Sequence, residues 1–322
     1  MNKTWLIIKR EYLTRVRSRT FLLSTILTPL FFAGLIFTVS YLTARNAGEA
    51  APGIAGNILT SPPSGNEGGK GLAYGIGYAS SFAIYIIILI YGTMVMRGVS
   101  EEKTNRVAEV IISSVKPFQL MMGKIVGIGA VGLTQFLIWI ILLLMFSAGL
   151  FLLAPAQFLQ QAGAESNAVS FSLSTAGVNL PLIIFCFVFY FLFGYLFYAS
   201  LFAAVGSAVN EDAQDNQGLL LPVTMPIVLA IVIMMNAISD PTSALAIGAS
   251  LIPFFSPVVM MARIPFGVPA VVPWWELALS MLLLLSGFLL TTWVSAKIYR
   301  TGILMYGKKT NWREMWRWIF RS

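Results

Sequence analysis

The sequence lacks histidine altogether and has one cysteine, Cys186. These absences exclude a zinc centre built from His and Cys ligands, an internal disulfide, a Ser-His-Asp triad and a Cys-His pair within the chain. Charge is also scarce, because only 11% of the residues are Asp, Glu, Lys or Arg, whereas a soluble domain has roughly 25%. With 57% hydrophobic residues, the chain has too little polar surface for a water-soluble body. It is predicted to be an integral membrane protein.

Six apolar stretches are each long enough to cross the hydrocarbon core of a bilayer, which needs about 20 residues. None of them contains Asp, Glu, Lys or Arg. They predict an all-α integral membrane protein with six transmembrane helices in a single domain that covers residues 1–322. The stretches are 21–42, 73–96, 125–153, 180–205, 218–238 and 277–296.

Basic residues are concentrated in alternate segments between these stretches. Of the 21 Lys and Arg residues, 18 lie in segments 1–20, 97–124 and 297–322, and three lie in the intervening loops. Cytoplasmic segments of membrane proteins carry the excess of positive charge. The pattern therefore predicts cytoplasmic termini and a multi-pass protein of the bacterial cytoplasmic (inner) membrane. It also accounts for the net charge of +8 without a nucleic-acid partner.

Both ends of the chain are predicted to form amphipathic helices that lie on the membrane surface. In the first segment, Trp5, Ile8, Tyr12 and Val16 share one helical face, and basic residues occupy another. Trp and Arg side by side are typical of a helix at the level of the lipid headgroups, so we expect contacts with membrane lipids. The N-terminal helix either anchors the fold or docks a partner. The C-terminal stripe is Trp312, Met315, Trp316, Ile319 and Phe320, flanked by Arg313, Arg317 and Arg321.

Two outer segments differ in character. The segment 43–72 is rich in Gly, Pro, Ser and Ala and is typical of a flexible linker. The segment 239–275 holds six of the 15 prolines yet stays apolar, so it is too broken to span as one helix and too apolar to lie in water. It predicts a re-entrant or outer-leaflet helical pair. Arg263 and Glu276 stand at this outer boundary, where a gating or anchoring role suits them.

The sequence offers no internal source of energy for transport. Ion-coupled carriers keep ionisable residues inside the membrane, and the predicted spans have none, although sodium held by carbonyls and hydroxyls stays possible. The closest approach to a P-loop, at residues 64–71, lacks its first glycine and its Ser/Thr and lies in the outer linker. A Gly-x-Gly-x-x-Gly match at residues 127–132 opens an apolar helix, and close helix packing through Gly123 and Gly127 explains it better than dinucleotide binding.

The cytoplasmic segment between the second and third spans carries the strongest functional signal. Ser100 can cap a helix whose first turn contains Glu101 and Glu102, where the helix dipole favours acidic side chains. Glu102 and Arg106 can pair four residues apart, and Pro117 ends the helix. This short amphipathic helix is either a solvated loop or a surface on which a cytosolic motor pushes. Its apolar stripe is Val107, Val110, Ile111 and Val115.

Motifs at several places of the chain belong together. They are Glu101-Glu102-Lys103-Thr104, Arg106, Glu109-Val110, Ser113-Ser114-Val115-Lys116-Pro117 and Gly123-Lys124, then Asn210-Glu211-Asp212-Ala213-Gln214, then Ile252-Pro253-Phe254-Phe255-Ser256-Pro257 with Met260, Met261, Ala262 and Arg263, and finally Tyr299-Arg300. With the basic N-terminus and six spans, this pattern resembles the permease subunits of type-2 ABC transporters. It is most similar to the sodium-efflux (NatB-like) branch.

The resemblance implies an exporter subunit that is not itself an enzyme and holds no cofactor. An ABC-type ATPase made as a separate polypeptide would bind ATP and magnesium, and two permeases would pair with two ATPases. We expect a coupling segment in residues 97–124 and an outer re-entrant gate. The coupling residues are Ser100, Glu101, Glu102, Arg106, Glu109, Pro117, Glu211 and Asp212, and the outer residues are Pro253, Phe254, Phe255, Pro257 and Arg263.

One departure from the family and three rival functions complete the sequence-based picture. Members of this branch carry a sizeable extracytoplasmic domain between the first two spans, where this chain has only the linker 43–72. Either the chain is a naturally trimmed member, or the domain was removed and replaced by the linker. The rivals are a carrier or channel driven by an ion gradient, an intramembrane enzyme using Glu211 with Asp212, and a membrane scaffold that transports nothing.

Overall fold

The computed structural model describes residues 3–19, 21–23, 25–27, 29, 67–106, 111, 114–153, 179–209, 213–305 and 312–319. Within these ranges the protein is helical and has no strand, which confirms the predicted all-α class. Most of the first predicted span, 21–42, and most of the linker 43–72 lie outside the described residues.

Nine α-helices and one short 3₁₀ helix have described bounds, and residues 21–23, 25–27, 29 and 111 are helical as well. The helices are α1 (Lys3–Val16), α2 (Glu67–Thr104), α3 (Pro117–Leu153), α4 (Leu180–Ala208), α5 (Ala213–Ser239), α6 (Ala244–Leu251), α7 (Ser256–Arg263), the 3₁₀ helix Ile264–Phe266, α8 (Trp274–Gly302) and α9 (Trp312–Ile319).

Five of these helices contain a segment that is long and apolar enough to cross a membrane, so the chain is a multi-pass membrane protein. The segments are Ala73–Thr104, Pro117–Leu142, Leu180–Ala208, Gly218–Ser239 and Trp274–Gly302. They correspond to the second to sixth predicted stretches. The first predicted span, residues 21–42, lies mostly outside the described residues. A sixth spanning helix therefore stays a prediction.

The helices run further than the apolar stretches that predicted them. The second stretch ended at residue 96, but α2 continues to Thr104, and α3 begins at Pro117 rather than near residue 125. Arg, Glu and Lys are good helix formers once a helix has started, so loss of hydropathy does not end α2. Proline is favoured at the first helical position because it needs no hydrogen-bond acceptor there. Pro117 therefore begins α3, and the helix that it was predicted to end lies mostly in residues 107–113, outside the described residues apart from residue 111.

The chain divides into two compact units. The larger comprises Met1–Tyr12, Ala73–Gly132 and Gly177–Ser322, and the smaller comprises Leu13–Leu72 and Leu133–Ala176. In the larger unit, α4 packs most extensively on α8, and the short helices α6 and α7 pack with α4, α5 and α8. In the smaller unit, Trp139 Nε1 donates a hydrogen bond to the carbonyl oxygen of Thr25 at 3.0 Å.

Each of the two predicted amphipathic helices buries one side in the protein, and their position at a membrane surface stays a prediction. In α1, Ile7 and Glu11 are buried, whereas Trp5 is 59% exposed. In α9, Met315, Trp318 and Ile319 are buried, whereas Trp316 is exposed. Two members of the predicted apolar stripe of α9 therefore face the protein, and a third, Trp316, does not.

Helix α1 packs on α3 through the two glycines that the sequence singled out. A Cβ atom at Gly123 would lie 2.7 Å from the side chain of Ile7, and one at Gly127 would lie 2.7 Å from Cβ of Glu11. Both distances are too short for any side chain, so only glycine lets the backbones approach this closely. The predicted close helix packing at Gly123 and Gly127 is confirmed.

A close contact between α2 and α4 provides a direct stability test. A Cβ atom at Gly206 would lie 2.6 Å from the backbone oxygen of Met96 and 3.0 Å from its Cα. Because backbone atoms cannot rotate away, we expect Gly206→Ala to destabilise the protein by about 1–3 kcal/mol. A thermal denaturation midpoint in detergent measures this.

The matched control is Gly75→Ala in α2, where no atom lies within 4 Å of the added Cβ. Alanine is the better helix former by roughly 0.5–1 kcal/mol, so this control should leave the midpoint unchanged or raise it. Equal midpoints for the Gly206→Ala variant and the wild type would contradict the packing of α2 on α4.

Candidate functional site

Three of the predicted coupling residues, Ser100, Glu101 and Glu102, lie near the end of α2 and not at the start of a new helix. Ser100 is inside α2, and Glu101 and Glu102 belong to its last turn. The prediction of Ser100 as a helix N-cap was therefore wrong, because α2 continues through it. Pro117 is the first residue of α3. Glu109, Glu211 and Asp212 lie outside the described residues.

Arg106 has an unusual backbone conformation just after α2. Its φ is 55°, in the left-handed region, which costs a residue with a side chain roughly 1–2 kcal/mol. Its N–H donates to the carbonyl oxygen of Lys103 at 2.9 Å, which is one of the two bonds of a Schellman turn at a helix C-terminus. Glycine normally occupies this position, so the exposed Arg106 side chain stands on a strained turn.

Glu102 joins a group of charged side chains from three helices, which we call the α1–α3 charge cluster: Arg10, Glu11, Glu102 and Lys124. Arg10 Nη2 donates to Glu102 Oε1 at 2.6 Å and to Glu11 Oε1 at 3.0 Å. Lys124 Nζ lies 3.1 Å from Glu102 Oε2 and 3.7 Å from Glu11 Oε1. The predicted partner of Glu102 was Arg106, whereas the ion pairs that hold it come from α1 and α3.

The cluster is buried except for Arg10. Lys124 is 2% exposed and Glu11 is 4% exposed, whereas the side chain of Arg10 is half exposed. Burial alone lowers the pKa of Arg10, but the hydrogen bonds and charges of Glu11 and Glu102 outweigh it and raise the pKa above its ordinary value. Arg10 therefore stays charged, and two cations balance two carboxylates in the cluster.

Further buried contacts tie this region to α4. Lys124 Nζ donates to the carbonyl oxygen of Gly98 at 2.9 Å, and Lys103 Nζ donates to that of Ser207 at 2.7 Å. The hydroxyl of the fully buried Tyr299 has no hydrogen-bond partner among the described residues. Glu102 Oε2 forms an ion pair with Lys124, but no donor in the described part of the chain is aligned for a hydrogen bond to it. The end of α2 is thus connected to α1, α3 and α4 by charged groups.

An open groove of about 420 Å³ lies beside the strained turn. Arg97, Ser100 and Glu101 line it from α2, Asn105 lines it from the turn, and Val209 lines it from the end of α4. The opposite charges of Arg97 and Glu101, with three uncharged polar side chains, give it a mixed-charge wall; these three are Ser100, Thr104 and Asn105.

The predicted outer residues lie between the short helices α6 and α7 and the long helices α4 and α8. Pro257 lies against Gly194 of α4, and Pro253 lies against Gly287 of α8, each at a place where an added Cβ would meet the proline ring at 3.0 Å or closer. Tyr198 Oη donates to the carbonyl oxygen of Phe254 at 2.6 Å. Phe255 packs beside the buried Ala237, Ala246, Ala249 and Val259.

Arg263 is fully buried, and the structure gives its guanidinium three acceptors. Nε donates to the carbonyl oxygen of Pro241 at 2.7 Å, Nη1 to Ser250 Oγ at 2.7 Å, and Nη2 to Glu276 Oε2 at 2.9 Å. Glu276 is 5% exposed. The two residues that the sequence placed at an outer boundary therefore form a buried ion pair.

The hydrogen bonds continue from Arg263 into the long helices. Ser280 Oγ donates to the carbonyl oxygen of Ser250 at 2.6 Å and accepts from Tyr190 Oη at 3.0 Å. We call these residues, with Arg263 and Glu276, the Arg263 network. It joins α4, α6, α7 and α8, so the helical pair α6–α7 is fixed to the long helices by polar bonds as well as by packing.

Sequence reasoning missed Arg10, Glu11 and Lys124 as parts of the site. Two signals were available: Glu11 is the one acidic residue in the basic segment 1–20, and Lys124 is the last charged residue before a long apolar run. An isolated charge of this kind at a membrane boundary is expensive unless it is paired. The partners, however, lie on other helices: Glu11 pairs with Lys124 113 positions further on, and Lys124 pairs with Glu102 22 positions before it.

Comparison with known proteins gives one family and two relatives. Residues 55–297 match the family described as ABC-2 family transporter protein. The chain is 31% identical over 265 residues to YhaP of Bacillus subtilis, a match that covers 82% of this chain and 60% of YhaP. It is 26% identical over 241 residues to MJ1024 of Methanocaldococcus jannaschii, covering 75% of this chain and 53% of that protein. The chain thus spans little more than half the length of these relatives.

Proposed function

Because this chain belongs to the ABC-2 family of transporter proteins, a family of membrane components without catalytic activity of their own, we propose that it is the permease subunit of an ATP-driven exporter. The ATPase would be a separate polypeptide that holds ATP and magnesium. The observation that carries the proposal is the end of α2, where a mixed-charge groove, a strained turn and buried ion pairs adjoin.

The proposed coupling works through that end. An ATPase seated in the groove would contact Glu101 and Arg106, while Glu109, Glu211 and Asp212 would supply further contacts. A shift of the turn would be transmitted to three other helices. Glu102 binds Arg10 of α1 and Lys124 of α3, and Lys103 binds Ser207 of α4. Two states of these contacts would change the arrangement of the spans.

The proposed membrane arrangement follows the distribution of charge. We propose six spans, cytoplasmic termini, α1 and α9 at the inner surface of a bacterial cytoplasmic membrane, and a dimer of two permeases with two ATPases. We also propose a place in the sodium-efflux branch, with its outer domain absent at residues 43–72. In this arrangement α6–α7 would be the re-entrant outer gate.

The test of coupling uses exposed residues, since replacing the buried Glu102 would break the charge cluster. In the complex with the ATPase that co-purifies from native membranes, we expect Glu101→Lys and Arg106→Gly each to weaken ATPase binding at least tenfold, about 1.4 kcal/mol. Stimulation of ATP hydrolysis by the permease should fall as well. Glycine suits the left-handed turn, so Arg106→Gly removes the side chain without adding strain.

Arg106→Lys is the matched control, because it keeps the charge on the same turn and should retain most of the binding. Thermal denaturation of each variant checks that the fold is intact. Wild-type affinity and wild-type ATPase stimulation for both Glu101→Lys and Arg106→Gly would contradict the assignment of this groove to the ATPase.

A carrier driven by an ion gradient is the second candidate, and one observation favours it. The observed helices contain the buried carboxylates of Glu102 and Glu276. The shorter apolar stretches from which these helices were predicted contain no carboxylate. Both are paired with cations, which suits a structural role better than ion relay. Purified permease in liposomes separates the candidates, because uptake driven by a proton or sodium gradient without an ATPase would favour the carrier.

A further inference from the structure

Helix α9 is fixed at both ends to the ends of two membrane-spanning helices. Lys297 Nζ of α8 donates to the carbonyl oxygen of Ile319 at 2.9 Å, and Trp312 Nε1 donates to the carbonyl oxygen of Gly218 at 3.3 Å. The Gly218 carbonyl is available because Pro222, four residues on in α5, has no N–H to offer it. These two bonds, seven residues apart along α9, place the helix across the ends of α5 and α8.

The face of α9 that points away from the protein combines indoles and guanidinium groups. Met315, Trp318 and Ile319 are buried, whereas Trp316 is 66% exposed and Trp312 is 36% exposed. Arg313 and Arg317 are exposed beside them. Exposed indoles are unfavourable in water, but tryptophan is enriched where membrane and water meet.

The same mixture continues on α8. Trp293 is 54% exposed, the Lys297 ammonium lies 4.4 Å from the centre of its ring, and Arg300 is exposed one turn further on. Lys297 therefore links the exposed side of α8 to α9. We call the whole the basic aromatic surface: Trp293, Lys297, Arg300, Trp312, Arg313, Trp316 and Arg317.

We propose that the basic aromatic surface binds the headgroups of anionic phospholipids. Its three indoles are of the type found at the level of the lipid headgroups. Its four cations outnumber the one carboxylate of α9, Glu314, so the electrostatic potential at the surface is positive. Arginine can hold a phosphate oxygen pair with two parallel N–H bonds, and each cation near an anionic bilayer raises the affinity about fivefold. The proposal rests on the proposed position of α9 at the cytoplasmic membrane surface.

The experiment uses the full chain in nonionic detergent and a soluble probe, dioctanoyl phosphatidylglycerol, with dioctanoyl phosphatidylcholine as the neutral comparison. Tryptophan fluorescence reports binding. We expect the anionic lipid to bind at least tenfold more tightly than the neutral lipid, and 0.5 M NaCl to reduce that preference because salt screens exposed charges. Arg313→Gln with Arg317→Gln should weaken binding of the anionic lipid roughly 30-fold and leave the neutral lipid unaffected.

The matched control is Arg97→Gln with Lys116→Gln, which removes two exposed cations elsewhere and should change the affinity less than twofold. Arg313→Lys with Arg317→Lys keeps the charge and should keep most of the preference. Equal affinity for the two lipids, no effect of salt, an equal loss in the control, or displacement by millimolar inorganic phosphate would each overturn the proposal. Variant Glu101→Lys should bind lipid normally, so failure of the coupling hypothesis is distinguishable from failure here.

Discussion

Replacing Arg263 with methionine is expected to cause one of the two largest losses of stability in the protein. The change leaves the carboxylate of Glu276 buried at 5% exposure without its cation, and it removes the donors that bind Pro241 and Ser250. Breaking a buried ion pair on one side costs about 3–5 kcal/mol. At roughly 2–4 °C for each kcal/mol, the denaturation midpoint in detergent should fall by about 10 °C.

A second substitution shows whether the unpaired charge is the cause. Arg263→Met combined with Glu276→Gln leaves no buried charge in the Arg263 network, so we expect it to recover much of the lost midpoint. Arg300→Met is the matched control in α8, because Arg300 is exposed and its loss should cost under about 0.5 kcal/mol. If the single Arg263→Met variant melts together with the control, the Arg263 network does not stabilise the fold.

The second large effect is expected for Lys124→Met. Lys124 is 2% exposed and is the buried cation between Glu11 and Glu102, while Arg10 on the other side is half exposed. Methionine fills a similar volume but leaves two buried carboxylates facing each other and takes the donor from Gly98. We expect a loss of about 3–5 kcal/mol, with α1 loosened from α3 and cleaved more readily by trypsin.

A double-mutant cycle with Glu102→Gln separates the charge from the packing. If the pair matters, Lys124→Met should cost at least about 1.5 kcal/mol less in the Glu102→Gln background. Lys116→Met is the control, because this exposed lysine directly precedes α3. Additive effects of Lys124→Met and Glu102→Gln would show that the α1–α3 charge cluster is not an energetic unit.

Hydropathy predicted five of the spanning helices well because a bilayer demands long apolar runs regardless of tertiary contacts. It failed at the end of α2, where the predicted Ser100 cap does not exist, since Arg97, Glu101 and Lys103 continue the helix. The glycines of α3 were recognised correctly, because small residues four apart have few other uses in an apolar helix.

The charged sites could not be predicted in the same way. Glu102 pairs with Arg10 across 92 positions, and helical spacing alone favoured its nearer neighbour Arg106. The Arg263 network depends on how two eight-residue helices fold back onto α4 and α8. Local patterns identified Arg263 and Glu276 as unusual, but only the fold shows that they neutralise each other.

Helix α2, which ends at the coupling region, and helix α5, which is hydrogen-bonded to α9, differ in stiffness. α2 is 38 residues long and contains no proline, so it forms a rod of about 57 Å, well beyond the roughly 30 Å of a hydrocarbon core. α5 has Pro222 and Pro226 in its interior and lacks the backbone bonds that they would have donated. A displacement of the turn at Arg106 would therefore move α2 as one rigid element, whereas α5 would bend at its prolines. Trp312 donates to the carbonyl oxygen that Pro222 leaves without its helical donor, so bending of α5 at this proline would have to break or move the bond between α5 and α9.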